Sequence, residues 1–368
     1  MNKTKDLIGK ECFSEIIKYR RCTAAISVGV GKTLIGLKRI EHGLKINPNA
    51  KILIVAPKIS IFETWKLEAK KWNLEYILNN ITFSTYRSLN KQGKYLFIIL
   101  DEIHSLKFSH NIYLSSHKGG ILGLTGTPPD EQNKEKFKMI ERYAPIVYEY
   151  VTDDAVDDGL LNDYEIFLHK IPLGTEKNIE IKTKKASFKI SEIDNYNYYE
   201  EQIQELQEDF NERNRLKFVR LMRMQAMKKY KSKEEYVKKI IKKINNQCII
   251  FANTIDQAER ISLYSYNSKN KASNEYLELF KEGKINVLSC IEQLSEGINI
   301  PNLDTGIVLH TYSGNSPKAK QKFGRLMRLP TNKKCTLHVL VYKDTIDETW
   351  VNSALERFNS NKIKIIEE

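Results

Sequence analysis

In the first 150 residues, short unbroken apolar runs alternate with longer stretches whose apolar residues recur every three or four positions. The runs are CTAAI (22–26), KILIVAP (51–57), NITFSTY (80–86), YLFIIL (95–100) and GILGLTG (120–126). Near-continuous Ile, Leu and Val segments of this length are the pattern of parallel strands covered on both faces. Between them, TLIGLKRIEHGLK and SIFETWKLEAKKW have the spacing of helices with one buried stripe. The alternation predicts an open α/β sheet with right-handed crossovers.

The pattern then changes. YAPIVYEYVTDDAVDDGLLNDYEIFLHKI carries the chain out of this sheet, and its Asp-rich centre with Gly159 reads as a linker. A charged helical region follows over about 196–244, in which Met222, Met224 and Met227 suit helix core and gap filling. Lys228-Lys229 and Lys242-Lys243 read as solvated helix faces. Strand–helix alternation resumes with QCIIFAN (247–253), the helix TIDQAERISLYSY, and the strands INVLSCI (285–291) and DTGIVLHTY (304–312). A helix SPKAKQKFGRLMRL (316–329) and a final strand CTLHVLVY (335–342) complete it. The expected organisation is an α/β domain at 1–150, a linker at 151–165 and a second α/β domain at 166–368. Two such sheets create a cleft of the kind that holds ligands.

Length agrees: 368 residues at about 150 per domain favours two domains. The net charge of +13 implies a polyanionic partner, most simply nucleic acid, or else a lysine-rich solvated surface. Cys12, Cys22, Cys248, Cys290 and Cys335 are scattered and form no C-x-x-C pair, which argues against a disulfide framework or a zinc site and fits a reducing cytosol. The N-terminal MNKTKDLIGKECF has no signal-like apolar core, and no apolar run reaches the roughly 20 residues that span a bilayer. The expectation is a cytoplasmic protein with no membrane contact.

Four stretches carry chemistry. SVGVGKT (27–33) follows a strand and opens a helix, the setting of a phosphate loop, although Ile26 replaces the first glycine of the strict pattern. There Gly29, Val30 and Gly31 would offer backbone N–H groups, Lys32 would reach the β- and γ-phosphates, and Thr33 would ligate Mg²⁺. In FIILDEIHSL, Asp101 and Glu102 end a buried strand, a costly place for two carboxylates unless a metal or a reaction uses them. Asp101 suits the Mg²⁺ shell, Glu102 suits activation of water, and His104 suits sensing of the nucleotide. The alternative is that the carboxylates merely favour a helix N-terminus. In LGLTGTPPD, Thr125, Gly126 and Thr127 can couple the nucleotide pocket to a second ligand. In QKFGRLMR, Gln321, Arg325 and Arg328 fall on one helix face, and the two arginines suit the charge of a γ-phosphate.

The ordered series GVGKT, VAPK, DEIH, LTGTP, IIFANTIDQAE, SEGINIP and QKFGRLMR resembles the superfamily 2 helicases. VAPKISIFETWKLEAKKW and LTGTPPD look most like the Snf2-like and phage branch-migration members. The resemblance implies two RecA-like lobes with ATP between them and nucleic acid across their top. It places Ala56, Pro57, Lys58, Thr85, Ser268 and Lys269 near the nucleic-acid backbone, and Gly297 and Asn299 at the nucleotide. The chain also departs from the family. No Gln occurs in residues 1–25, where the family reads adenine; Ile291 stands where many members carry Thr, and Asn299 where many carry Asp. The implied activity is an ATP- and Mg²⁺-dependent helicase or translocase, acting as a monomer on DNA. Lys32, Glu102, Gln321, Arg325 and Arg328 form the catalytic set. An RNA helicase, or an ATPase that remodels nucleoprotein complexes without strand separation, are the alternatives.

Overall fold

The computed structural model describes residues 3–27, 29–126, 128–129, 134–182, 186–291, 303, 305–309, 334–356 and 358–368. The chain divides into two compact units, with one boundary at Asp163/Tyr164.

The first unit is built on a six-stranded sheet. Its strands are β1 (Arg21–Ile26), β2 (Ile52–Ala56), β3 (Ile81–Thr85), β4 (Phe97–Asp101), β5 (Gly120–Thr125) and β6 (Ile146–Tyr150). They lie in the order β3-β2-β4-β5-β1-β6, and every pairing is parallel. Alternate residues of one strand enter opposite cores. Ile52, Ile54, Ile99 and Leu122 join one cluster, while Leu53, Val55, Ile98, Leu100 and Ile121 join the other. That is why the runs are continuous: both faces are covered, so neither register position can be polar. The helix Lys32–Ile46 lays Ile35, Gly36, Leu37, Ile40 and Leu44 onto the first core, and Ser60–Lys71 adds Trp65 and Ala69.

The segment after position 145 does not leave this sheet at once. Ile146–Tyr150 is β6, an edge strand paired with β1. Thr152–Asp157 then forms a helix where a linker was expected. Its aspartates have a local job: the Asp154 carboxylate accepts a hydrogen bond from Val151 N–H (3.1 Å), and Asp153 and Asp154 lie in the first turn, where the helix dipole favours negative charge. Ala155 and Leu161 are buried in the first core, with Val156 and Leu160 against it.

The second unit holds a seven-stranded parallel sheet in the order β11-β12-β10-β13-β14-β7-β15. Its members are β7 (Tyr164–Ile171), β10 (Cys248–Phe251), β11 (Ser265–Tyr266), β12 (Val287–Cys290), β13 (Thr305–Val308), β14 (Cys335–Tyr342) and β15 (Ile363–Glu367). A separate antiparallel pair is formed by β8 (Ile179–Lys182) and β9 (Ser187–Ile190). Helices Glu192–Gln207, Arg213–Met227 and Ser232–Ile241 fill the expected helical region. Cys335–Tyr342 is not the last strand; β15 adds to β7 at the sheet edge. Fully buried Lys233 pairs with Asp347 and donates to the Leu309 carbonyl (2.9 Å), so the ion pair is also hydrogen-bonded. All five cysteines are buried, and none is in a disulfide. Among the described residues, no helix is long and apolar enough to cross a membrane.

Candidate active site

Strand order in the first sheet sets three chain ends side by side. β5 lies between β4 and β1, with Asp101 opposite Leu124 and Thr125 opposite Ala25. The loop after β1, the carboxylates after β4 and Thr125 therefore share one C-terminal sheet edge, the place where open parallel sheets bind ligands.

The loop is shaped by its glycines. Gly29 (φ 97°) and Gly31 (φ 108°) occupy the left-handed region that only glycine enters cheaply. Gly31 caps the helix Lys32–Ile46 without any side-chain hydrogen bond, so the positive end of that helix is open to an anion. Ser27 ties the loop to β6: its N–H donates to the Tyr150 carbonyl (2.8 Å), and its hydroxyl meets that of Thr152 (3.3 Å). Val30 is buried behind the turn, and Thr33 follows Lys32 in the first helical turn.

Lys32 Nζ lies 3.6 Å from Glu102 Oε1. That ammonium is buried and makes no hydrogen bond among the described residues. A desolvated cation with one carboxylate neighbour is costly, and phosphate oxygens would satisfy it. Glu102 itself has φ 52° and ψ 56°, a left-handed conformation unusual for a residue with a side chain. Strain of this kind, about 1–3 kcal/mol, collects at functional sites. Its other oxygen, Oε2, lies 3.4 Å from His104 Nδ1.

His104 is buried, and its Nδ1 shares a 2.9 Å hydrogen bond with the Thr125 hydroxyl. Burial pulls its pKa down to about 4 despite the charge of Glu102, so the ring is neutral at pH 7. His104 thus engages Thr125 of its own unit. Asp101 is also buried; Trp65 Nε1–H donates to its Oδ2 (2.8 Å), and the Tyr86 hydroxyl donates to its carbonyl (2.9 Å). Burial, then the charge of Glu102, pushes the Asp101 carboxyl up to about 6 against the stabilising Trp65 and Lys32. Glycine N–H groups, an unsatisfied ammonium and two carboxylates suit a polyphosphate carrying a divalent cation.

Pro57 and exposed Lys58 follow β2, and Thr85 ends β3, in register with Ala56. These residues share the same C-terminal edge. In the second unit, Ser268 and Lys269 are exposed just past β11. There the Asn267 side chain accepts from the N–H groups of Lys269 (2.9 Å) and Asn270 (3.0 Å) and fixes the turn. Gly126 directly follows β5. Gln321, Arg325, Arg328, Gly297, Asn299 and Thr127 lie outside the described residues. No sequence motif points to Trp65, Tyr86 or Thr152, which meet Asp101 and Ser27 in the fold. The only signal for Trp65 was an aromatic on the apolar face of a helix, which says nothing about the carboxylate it reaches.

A glycine loop, a buried lysine and paired carboxylates on one edge of a parallel sheet define a nucleotide hydrolase of RecA-like fold. A family described as "Type III restriction enzyme, res subunit" matches residues 10–130, which contain this site. A second, "Helicase conserved C-terminal domain", matches residues 232–330. Together the two matches, one in each half of the chain, support a helicase or translocase of superfamily 2, and such families are nucleic-acid-dependent ATPases. It is 24% identical over 366 residues to the DNA 3'-5' translocase XPB2 of Sulfurisphaera tokodaii, covering 90% of this chain and 80% of that one. In fold it is similar to the ATP-dependent Type ISP restriction-modification enzyme LlaBIII bound to DNA (TM-score 0.62, 14% identity). That likeness covers 100% of this chain but 31% of LlaBIII. It is also similar to S. cerevisiae Dbp5 bound to RNA and ADP BeF3 (TM-score 0.51, 12% identity), covering 99% of this chain and 94% of that one.

Proposed function

We propose that this chain is a monomeric ATP-dependent motor on DNA, moving along it or remodelling it at the expense of ATP hydrolysis. The observation that carries the reading is the buried Lys32 ammonium, without a hydrogen bond among the described residues, beside Glu102 and next to Asp101 on one sheet edge. DNA as the track is supported by the +13 charge and by the name of the archaeal relative, a DNA translocase.

Each residue has a task. The N–H groups of Gly29, Val30 and Gly31 and the start of the following helix hold the phosphates, with Lys32 at the β- and γ-oxygens. Thr33 and Asp101 are the groups that would hold Mg²⁺, which when bound neutralises charge on the phosphates. Glu102 orients the attacking water and takes its proton. On their sequence motifs, Arg325 and Arg328 with Gln321 are the residues assigned to charge on the transferred phosphoryl group, and Gly297 and Asn299 those assigned to the nucleotide. His104, Thr125, Gly126 and Thr127 relay occupancy of the site to the residues on nucleic acid: Pro57, Lys58, Thr85, Ser268 and Lys269.

The test is ATP hydrolysis across a panel of single-stranded DNA, duplex DNA, forks, four-way junctions and RNA. DNA should stimulate most, and Lys32→Ala and Arg325→Ala should each abolish the stimulated rate. Stimulation by RNA alone would replace the DNA reading, and full activity in either variant would remove the site assignment.

A further inference from the structure

Trp65 is the largest wholly enclosed side chain among the described residues. The N–H of a buried tryptophan usually finds a hydrogen-bond partner. Here the indole N–H donates to Asp101 Oδ2 at 2.8 Å, a charge-assisted bond to a carboxylate of the active site. Trp65 comes from the helix Ser60–Lys71, two strands away in sequence from β4.

The room for this indole is provided by Gly36. A Cβ at position 36 would fall inside contact distance of Trp65 Cη2, 3.0 Å from its Cζ3 and 3.3 Å from Leu124 Cδ1. Glycine inside a helix costs about 1 kcal/mol against alanine, so its presence calls for a packing reason. Gly36 lies four residues after Lys32, on the same face of the helix. That one face therefore presents an ammonium to Glu102 and seats the ring whose N–H holds Asp101.

We propose that Trp65 is a positioning residue for the cation end of the nucleotide site. Its N–H fixes one oxygen of Asp101 and so the plane of the carboxylate. Oδ1 is then the oxygen not committed to the indole, available to a cation or to cation-bound water. Gly36 sets the depth at which the indole sits. The inference rests on Asp101 belonging to the cation shell. Partners that orient a metal-ligating side chain are worth about 10- to 100-fold in metal affinity.

The test separates the donor from the packing. Trp65→Phe keeps a six-membered ring and removes the N–H; Trp65→His keeps a ring N–H close to the position of Nε1 and loses the benzo ring. Mn²⁺ binding to the full chain with ADP, read by electron paramagnetic resonance, should weaken about 10-fold in Trp65→Phe and less in Trp65→His. Thermal stability should rank the other way, with Trp65→His lower. Metal affinity that follows stability, or is unchanged in Trp65→Phe, overturns the proposal. Asp101→Asn is the control: if it binds Mn²⁺ as the parent does, the cation-shell assignment fails rather than the role of Trp65. If the Trp65 variants do not fold, the Trp72→Phe/Trp350→Phe protein retains Trp65 as its one tryptophan. Its emission should shift when Mg²⁺ is added to the ADP complex, and the shift should vanish on adding Asp101→Asn. An emission unchanged by Mg²⁺ sinks the idea.

Discussion

Glu102 sits between two cationic or hydrogen-bonding groups, Lys32 and His104, on a left-handed backbone. Glu102→Gln keeps that backbone and the side-chain shape but removes the base. ATP binding, followed with a fluorescent analogue, should be retained within a few-fold. Single-turnover hydrolysis should fall by about 10²–10⁴. Equal loss of binding and hydrolysis would show that Glu102 holds nucleotide instead of activating water. The candidates Asp101 and Glu102 were legible because charged residues ending an apolar strand stand out in one dimension, and Lys32 because it follows a glycine pair between a strand and a helix. Trp65 was not, because helical spacing reveals that a side chain is buried but not which polar atom it meets. The Glu102 conformation was equally hidden, since nothing in D-E-I-H distinguishes a strained residue from a helix start.

At the level of elements, β5 is the wall between the loop and the carboxylates. Gly123, in its middle, has no space for a side chain: a Cβ would collide with Thr23 Oγ1 and lie 2.5 Å from Ile103 Cδ1. Thr23 Oγ1 is already donating to the Ala144 carbonyl, so it cannot retreat without losing that bond. Gly123→Ala should cost about 1–3 kcal/mol in denaturant unfolding. The other sheet contains a different element-level device. His169 and His338, on paired strands β7 and β14, share a 2.9 Å hydrogen bond, and His169 also bonds the Tyr236 hydroxyl (2.9 Å). Burial pulls both pKa values down to about 4, with His338 also acting on His169. Both folded values lie below the unfolded value near 6.5. Their stabilisation is thus complete above about pH 6.5 and is lost as pH falls from there toward 4. The urea midpoint should drop from pH 7 to pH 5, and His169→Phe/His338→Phe should flatten that drop. Two of the strands that sequence missed share one physical cause. IVYEY and IKIIE are sheet edges with polar and half-exposed positions, so the continuous apolar signature of the interior strands is absent. Likewise the Asp-rich stretch looked like a linker, although its apolar Ala155, Val156, Leu160 and Leu161 were there to anchor it.

For the whole molecule, the decisive quantity is how its surplus of 13 positive charges is used. A solvated lysine-rich surface and a nucleic-acid track give the same net charge but different salt laws. Contacts to phosphates release condensed counterions, so the logarithm of affinity falls linearly with the logarithm of salt, by about 0.7–0.9 per phosphate neutralised. A diffuse surface charge gives no such integer-like steps. Lys58 in the first unit and Lys269 in the second are both exposed, each beside the C-terminal end of a strand. If both hold the backbone of one bound strand, Lys58→Ala and Lys269→Ala should each lower the salt slope by about one and weaken binding uniformly across sequences. The double variant should lower it by about two, because separate phosphate contacts add. Hydrolysis without nucleic acid should be unchanged, since neither lysine belongs to the phosphate loop or the carboxylate pair. A slope unaltered in Lys269→Ala alone would mean that the first unit carries the grip. In that case Ile291, which stands where many members of the family have Thr, becomes the residue to restore: Ile291→Thr should tighten binding about equally at every salt concentration and leave the slope unchanged, because a neutral hydroxyl bonds a phosphate without neutralising it.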